Sequence, residues 1–180
     1  MTLGDRIVIM KDGYIMQVGS PAEVFYHPGN LFVAEFIGAP KMNTFPAKLV
    51  KEDGEYFVKA FGAKLPVRGD RGELLKQKNV PEQEILLGVR PEHMFLAAED
   101  DPNAIECTLE VNEMMGSELH LHAFTDDGTR IIFRVPTIDL TASERAGLVN
   151  GAKLNVTFEG KVMHFFDPET EKNLLYSHEY

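Results

Sequence analysis

Two patterns of apolar and polar positions divide the chain near residue 40. From Arg6 to Lys11 apolar residues run almost without interruption, Asp12-Gly13 follows, and Tyr14 to Val18 resumes the run. Two such runs around a dipeptide suited to a tight turn predict a β-hairpin. Ser20-Pro21-Ala22-Glu23 carries three helix-start signals: a serine N-cap, a proline at the first helical position and a glutamate completing a capping box. His27-Pro28 stops that helix, because the residue before a proline avoids the α region. Asn30 caps a second predicted helix, with Phe32, Val33, Phe36 and Ile37 on one face and Gly38 as its stop.

Beyond residue 40 helical periodicity mostly fades and short strands take over. Asp53-Gly54, Asp127-Gly128 and Asn150-Gly151 are dipeptides favoured in two-residue hairpins. Leu49 to Val58 and Thr129 to Val135 carry strand residues around such turns. Glu118 to Phe124 alternates cleanly, with Leu119, Leu121 and Ala123 on one face and Glu118, His120 and His122 on the other. Many short strands with regular turn signals predict a mainly β domain, a closed or partly closed barrel of the oligonucleotide/oligosaccharide-binding (OB) type. Pro40 and Pro46 bracket the junction, so residues 1–40 and 41–180 are expected to be separate units.

Ile7 to Met10 is apolar on both faces, as in a strand covered by helices on either side. Only two short helices follow, so residues 1–40 read as the end of an α/β sheet whose other layers are missing. The alternative is that the hairpin packs onto the barrel.

Composition narrows the function classes. Hydrophobic residues make up 44% and charged residues 26% of the 180, ordinary for a globular protein. A single cysteine, Cys107, excludes an internal disulfide and suits a reducing compartment. No apolar run approaches the roughly 20 residues of a membrane span, so direct membrane insertion is not expected. Net charge is −10, of which −2 falls in residues 1–40, with lysines and arginines scattered singly. Phosphate backbones repel such a surface, and nucleic acid is not an expected partner. Phe57-Val-Lys-Ala-Phe61 is the nearest approach to interleaved aromatic and basic residues.

Few residues offer chemistry. Glu118, His120 and His122 share a strand face, but same-face neighbours stand about 7 Å apart and do not converge on one metal ion without a bulge. A solvated polar face is the expectation, and no metal site is assigned. Cys107 shares a face with Ile105 and Leu109 and reads as a small buried residue. Arg90-Pro91-Glu92-His93 ends the apolar run Ile85-Leu86-Leu87; there Pro91 stops the strand while Arg90 and Glu92 pair or cap neighbouring backbone. Gly116, inside Met115-Gly-Ser, reads as a bulge or tight bend.

Residues 1–28 closely resemble the end of an ABC-transporter nucleotide-binding domain. Phe32 to Asn43, reading FVAEFIGAPKMN, narrows the resemblance to the maltose and multiple-sugar importer ATPases. Leu87 to His93, Glu113 to Glu118 and His164 to Glu171 are similar to that family's C-terminal regulatory domain. The resemblance implies an ATPase parent that uses ATP and Mg²⁺, dimerises, drives two permease subunits in sugar uptake and, in some members, receives a regulatory protein. It would lie on the cytoplasmic face of the membrane. The chain itself has no G-x-x-x-x-G-K-[ST] and no Gly-Gly pair for a signature motif. Without a phosphate-binding loop, phosphoryl transfer lacks its stabiliser, and no catalytic or cofactor-binding residue is assigned. The expectation is a dimer through the barrel and a mobile or repacked first forty residues, with Arg90, Glu92, Gly116, Ser117, Phe165, Phe166 and Asp167 as interface or regulatory contacts. The alternative is a barrel binding a small ligand, an oxyanion or a sugar.

Overall fold

A computed structural model describes residues 5–98 and 100–176. Met1 to Gly4 of the first resemblance lie outside them. Strands β1 (Ile7–Lys11) and β2 (Tyr14–Gly19) form a two-stranded antiparallel sheet turned by Asp12 and Gly13, both at positive φ. Helix α1 (Pro21–Tyr26) starts with the full Ser20–Glu23 capping box, and Asn30 caps α2 (Leu31–Phe36) through the Val33 N–H. The hairpin and both helices thus form where the sequence placed them. The buried face of α2 differs: Val33 and Ala34 are enclosed while Phe36 is exposed.

The remaining strands are β3 (Asn43–Glu52), β4 (Glu55–Ala60) and β5 (Ala63–Pro66), then, after α3 (Gly69–Gln77), β6 (Gln83–Val89) and β7 (Met94–Leu96). They continue with β8 (Ile105–Met115), β9 (Glu118–Phe124) and β10 (Arg130–Pro136), and close, after α4 (Ala142–Gly147), with β11 (Lys153–Phe158) and β12 (His164–Phe166). Two five-stranded sheets result, in the orders β12-β6-β3-β4-β5 and β10-β9-β8-β11-β7. Their inner faces share one core, in which Phe45, Leu49, Leu87 and Phe165 of the first sheet meet Leu109, Leu121, Phe133 and Val156 of the second. Asn43 clasps the two sheets at one edge. Its side chain accepts from the Ile132 N–H at 2.8 Å and donates to the Ile132 carbonyl at 2.7 Å, supplying β10 with the partner its edge lacks.

Turn chemistry explains most connections, with two corrections. Asp53-Gly54 makes the tight β3–β4 turn, both residues at positive φ. Asp127-Gly128 instead sits in a longer loop organised by the Thr125 and Asp127 side chains, and Asn150-Gly151 joins α4 to β11 rather than two paired strands. The bulge of β8 falls between Leu109 and Val111, while Gly116, at φ +70°, makes the tight β8–β9 turn.

The opening unit keeps its own small core of Ile9, Val24 and Val33, flanked by Ile7, Met16, Phe32 and Ile37. It is neither repacked into the barrel nor covered on both faces. Val8 and Met10 stand about half exposed, paired across the hairpin with Val18 and Ile15.

A buried arginine clasp as the candidate functional site

The two bodies meet where β6 ends. Arg90, 1% exposed, donates from Nη1 to the Ile37 carbonyl at 2.6 Å and the Ala34 carbonyl at 3.4 Å, and from Nη2 to the Phe25 carbonyl at 2.7 Å. Its guanidinium also lies 4.0 Å from the Phe25 ring centre. These acceptors belong to the last turns of α1 and α2, where helical geometry leaves carbonyls unpaired and negative partial charge gathers. One side chain from the barrel therefore ties down both helix ends. Burial lowers its pKa to about 10, which still leaves it charged at neutral pH.

Arg71, on α3, repeats the arrangement alongside. It donates to the Tyr26 carbonyl at 3.3 Å and, from Nε, to the Lys161 carbonyl at 3.0 Å. Each of its terminal nitrogens faces a ring nitrogen of His164 at 3.4 Å. Burial, reinforced by Arg71 and Arg90, pushes the His164 pKa well below its ordinary value, so the imidazole is neutral. Gln17, fully buried, accepts from the Gly29 N–H at 2.8 Å and donates to the His27 carbonyl at 3.1 Å.

The C-terminal turn completes the clasp. The Asp167 carboxylate accepts from the Thr170 N–H at 2.7 Å, the Glu169 N–H at 2.9 Å and the Thr170 hydroxyl at 3.0 Å, and these bonds depress its pKa. The turn brings Glu171 to Asn173 against the start of α2. There the Leu31 N–H donates to the Glu171 carbonyl at 2.9 Å, and Asn173 donates from its backbone to Gly29 and from its side chain to Pro28. Beneath lies an apolar seam of Ala34, Met42 and Phe166. Gly88 is required there, because a Cβ would lie 2.6 Å from the Met42 sulfur and 2.9 Å from the Phe166 ring.

The structure thus brings three of the predicted residues, Arg90, Phe166 and Asp167, to one junction inside the chain. Arg90, Phe165 and Phe166 are too enclosed to serve as surface contacts; Phe165 belongs to the barrel core. Glu92 sits apart, 3.7 Å from Arg134, which also reaches Glu118 at 3.3 Å. Glu118 is 2.8 Å from the His120 ring, and His122 lies 3.2 Å from Glu113. Among the described residues no group of three or more His, Cys, Asp or Glu is placed to hold a metal ion. Gly116 and Ser117 form the β8–β9 tip, where Met114 and Met115 are more than half exposed; Thr137 donates to the Ser117 carbonyl there, and the next residue, Ile138, is 90% exposed. Cys107 is buried in β8, and desolvation raises its thiol pKa to about 11. Arg71, Gln17 and Asn173 escaped sequence reasoning, because a lone polar residue among surface-like neighbours carries no sign of burial.

The two-sheet barrel is of the OB type. Residues 38–94 match the family described as the MalK OB fold domain, and residues 87–166 the family described as the TOBE domain. The oligosaccharides import ATP-binding protein MsmX of Bacillus subtilis is 35% identical over 95% of this chain and 45% of its own length. The trehalose/maltose import ATP-binding protein MalK of Thermococcus litoralis is 35% identical over 97% of this chain and 45% of its own. Residues 38–166 are thus spanned by the MalK OB fold and TOBE domain families, and the chain is similar to ATP-binding proteins of ABC transporters and importers. It spans about half the length of the curated relatives it matches. Among solved structures, the cytoplasmic molybdate-binding protein ModG shares the fold, with a TM-score of 0.53 and 18% identity over 67% of this chain and 92% of that one. No helix among the described residues is long and apolar enough to cross a membrane.

Proposed function

We propose that this chain is the regulatory and dimerisation portion of an ATPase subunit energising a sugar importer. In this reading residues 1–40 are the last part of a nucleotide-binding domain and residues 41–180 the regulatory barrel. The observation that carries it is the Arg90 clasp beneath a hairpin with one open apolar face. The open face of Val8, Met10 and Ile15 suits packing against further layers of such a domain. The clasp passes any displacement of α1 and α2 to the barrel as a rigid-body movement, because Arg90 cannot follow one helix without leaving a buried carbonyl of the other unpaired. ATP and Mg²⁺ would be held by the parent's upstream motifs, since the chain itself has no phosphate-binding loop. Two permease subunits, a second copy and a regulatory protein are the partners of the parent, at the cytoplasmic membrane face. Self-association is assigned to the apolar end formed by Met114, Met115 and Ile138 around Gly116 and Ser117.

Two measurements test this. Sedimentation should show a dimer of the chain that M115E combined with I138E turns into a monomer without lowering its melting temperature. A monomer at every concentration would remove the dimerisation role. In the parent subunit reconstituted with its permeases, R90M should lower transport per ATP hydrolysed several-fold; unchanged coupling would remove the transmission role.

A further inference from the structure

A second feature of the barrel lies on its outer face, where the edge strand β7 pairs with β11. There a groove of about 450 Å³ runs between these strands, the link from β5 to α3 and the turn at Gly160. That volume falls within the roughly 300–1,000 Å³ of small-molecule sites. Its floor is a cross-strand pair, Phe95 and Thr157. Phe95 presents a ring that is 44% exposed. Thr157 is only 8% exposed, yet its hydroxyl has no hydrogen-bond partner among the described residues. That hydroxyl is not one of the fully enclosed unpaired atoms, so it opens to the groove and is free to meet a ligand there.

The rim decides what class of ligand fits. Arg68 and Lys161 are balanced by Asp101 and Glu159, so the lining has no formal net charge, and Lys161 is already paired with Glu159. An oxyanion needs converging cationic donors, which this rim cancels. The side-chain amide of Asn103 is unbonded among the described residues and adds a donor and an acceptor. An exposed aromatic ring flanked by a hydroxyl, an amide and balanced charges matches a ligand with an apolar C–H face and a rim of uncharged hydroxyls. The larger cleft across α3, about 600 Å³, offers no comparable set: Tyr56 already donates to the Val80 carbonyl, and Lys76 is paired with both Glu55 and Glu73.

We infer that the β7–β11 groove binds a neutral mono- or disaccharide, stacked on Phe95 and hydrogen-bonded by Thr157 and Asn103. The site has a short route to the clasp, because the Lys161 carbonyl on its wall accepts from Arg71, which also holds the end of α1. The inference goes beyond the regulatory reading and does not depend on the chain being a dimer.

Titration calorimetry with glucose, maltose, trehalose, sulfate and molybdate, and saturation-transfer NMR with the three sugars, test it. At least one sugar should bind, and F95A and T157V should each weaken it about tenfold or more at an unchanged melting temperature, valine being the near-isostere that removes only the hydroxyl. M115E, outside the groove's lining, should leave binding unchanged. Absence of binding by all three sugars, sugar binding indifferent to both substitutions, or binding of the oxyanions in preference would each overturn the assignment. The oligomeric state is read separately by sedimentation, so loss of the dimer and loss of the sugar site are distinguishable.

Discussion

The barrel and the unit in front of it are held together by different physics. In the barrel, the inner faces of two five-stranded sheets meet in a continuous apolar core, and burial does most of the stabilising. Among the described residues the opening unit's own apolar core is just Ile9, Val24 and Val33, and its hairpin leaves Val8 and Met10 open. Its attachment relies largely on buried polar groups, with Arg90, Arg71 and Asn173 serving carbonyls around α1 and α2 beside the small seam of Ala34, Met42 and Phe166, while Gln17 ties the hairpin to the helices within the unit. Burial is additive and tolerant of small shifts, whereas a hydrogen-bonded guanidinium works only in one geometry. A core-poor unit fastened this way moves with the barrel or comes off it.

The largest effect should come from breaking the barrel where it has no room. A Cβ at Gly160 would lie 2.0 Å from the Pro66 carbonyl oxygen and 3.1 Å from the Arg68 nitrogen, both backbone atoms that cannot step aside. G160A should cost about 3 kcal/mol or more in chemical denaturation, as overpacking against backbone does. A loss under about 1 kcal/mol would mean that the β5–α3 link is softer than its contacts indicate.

Acidification should strike the clasp before the barrel. His164 is held neutral by burial and by Arg71, Arg90, His93 and His27 around it, and His93 is also depressed, chiefly by burial. Above about pH 7 both native and unfolded forms are neutral, so these groups impose no pH dependence. Below an unfolded-state value near 6.5 the unfolded chain takes up protons that the native clasp refuses, and stability falls as pH falls. Hydrogen exchange should therefore speed up in residues 20–37 on going from pH 7 to 5.5 while β3 and β6 stay protected. H164Q should flatten that slope; an equally steep slope in the variant would place the titrating group elsewhere.

The smallest effect compares one device used in both regions. Ser20 and Thr141 head identical capping boxes, each hydroxyl accepting from the backbone N–H three residues on at 3.2 Å. S20A and T141A should each cost about 1 kcal/mol locally. Because α1 has one fully buried residue and α4 has none, only S20A should propagate, raising hydrogen exchange across α2 as well. Equal, purely local fraying in both variants would show that the opening unit is not a cooperative body.

Local chemistry made much of this legible. The hairpin, both short helices, the inward face of Leu119, Leu121 and Ala123 and the burial of Cys107 follow from turn dipeptides, caps and period, and all are observed; the expected solvated face is not, since His120 is buried against Glu118. Two helices were missed for different reasons. Helix α4 announces itself through Thr141 and Glu144, a readable signal. Helix α3 begins at Gly69 without a side-chain cap and has Gly72 inside it, so nothing local argues for it; Leu75 packed into the core, together with the clasp role of Arg71, holds it. Arg90 was visible as a strand-ending arginine able to cap backbone, but its targets lie 53 to 65 residues earlier.

By itself the sequence determined what depends on neighbours along the chain: turns, caps, strand faces and the family likeness written in local motifs. Only the tertiary structure decided which polar residues go inside, because an arginine is as soluble as any other until helix ends from a distant segment arrive to replace its water. It likewise decided that Phe165 and Phe166 face inward, and that Phe95 and Thr157 share a groove rather than a core. Those outcomes rest on pairings between remote strands, whose register is fixed by the closing of the whole barrel and by no single segment.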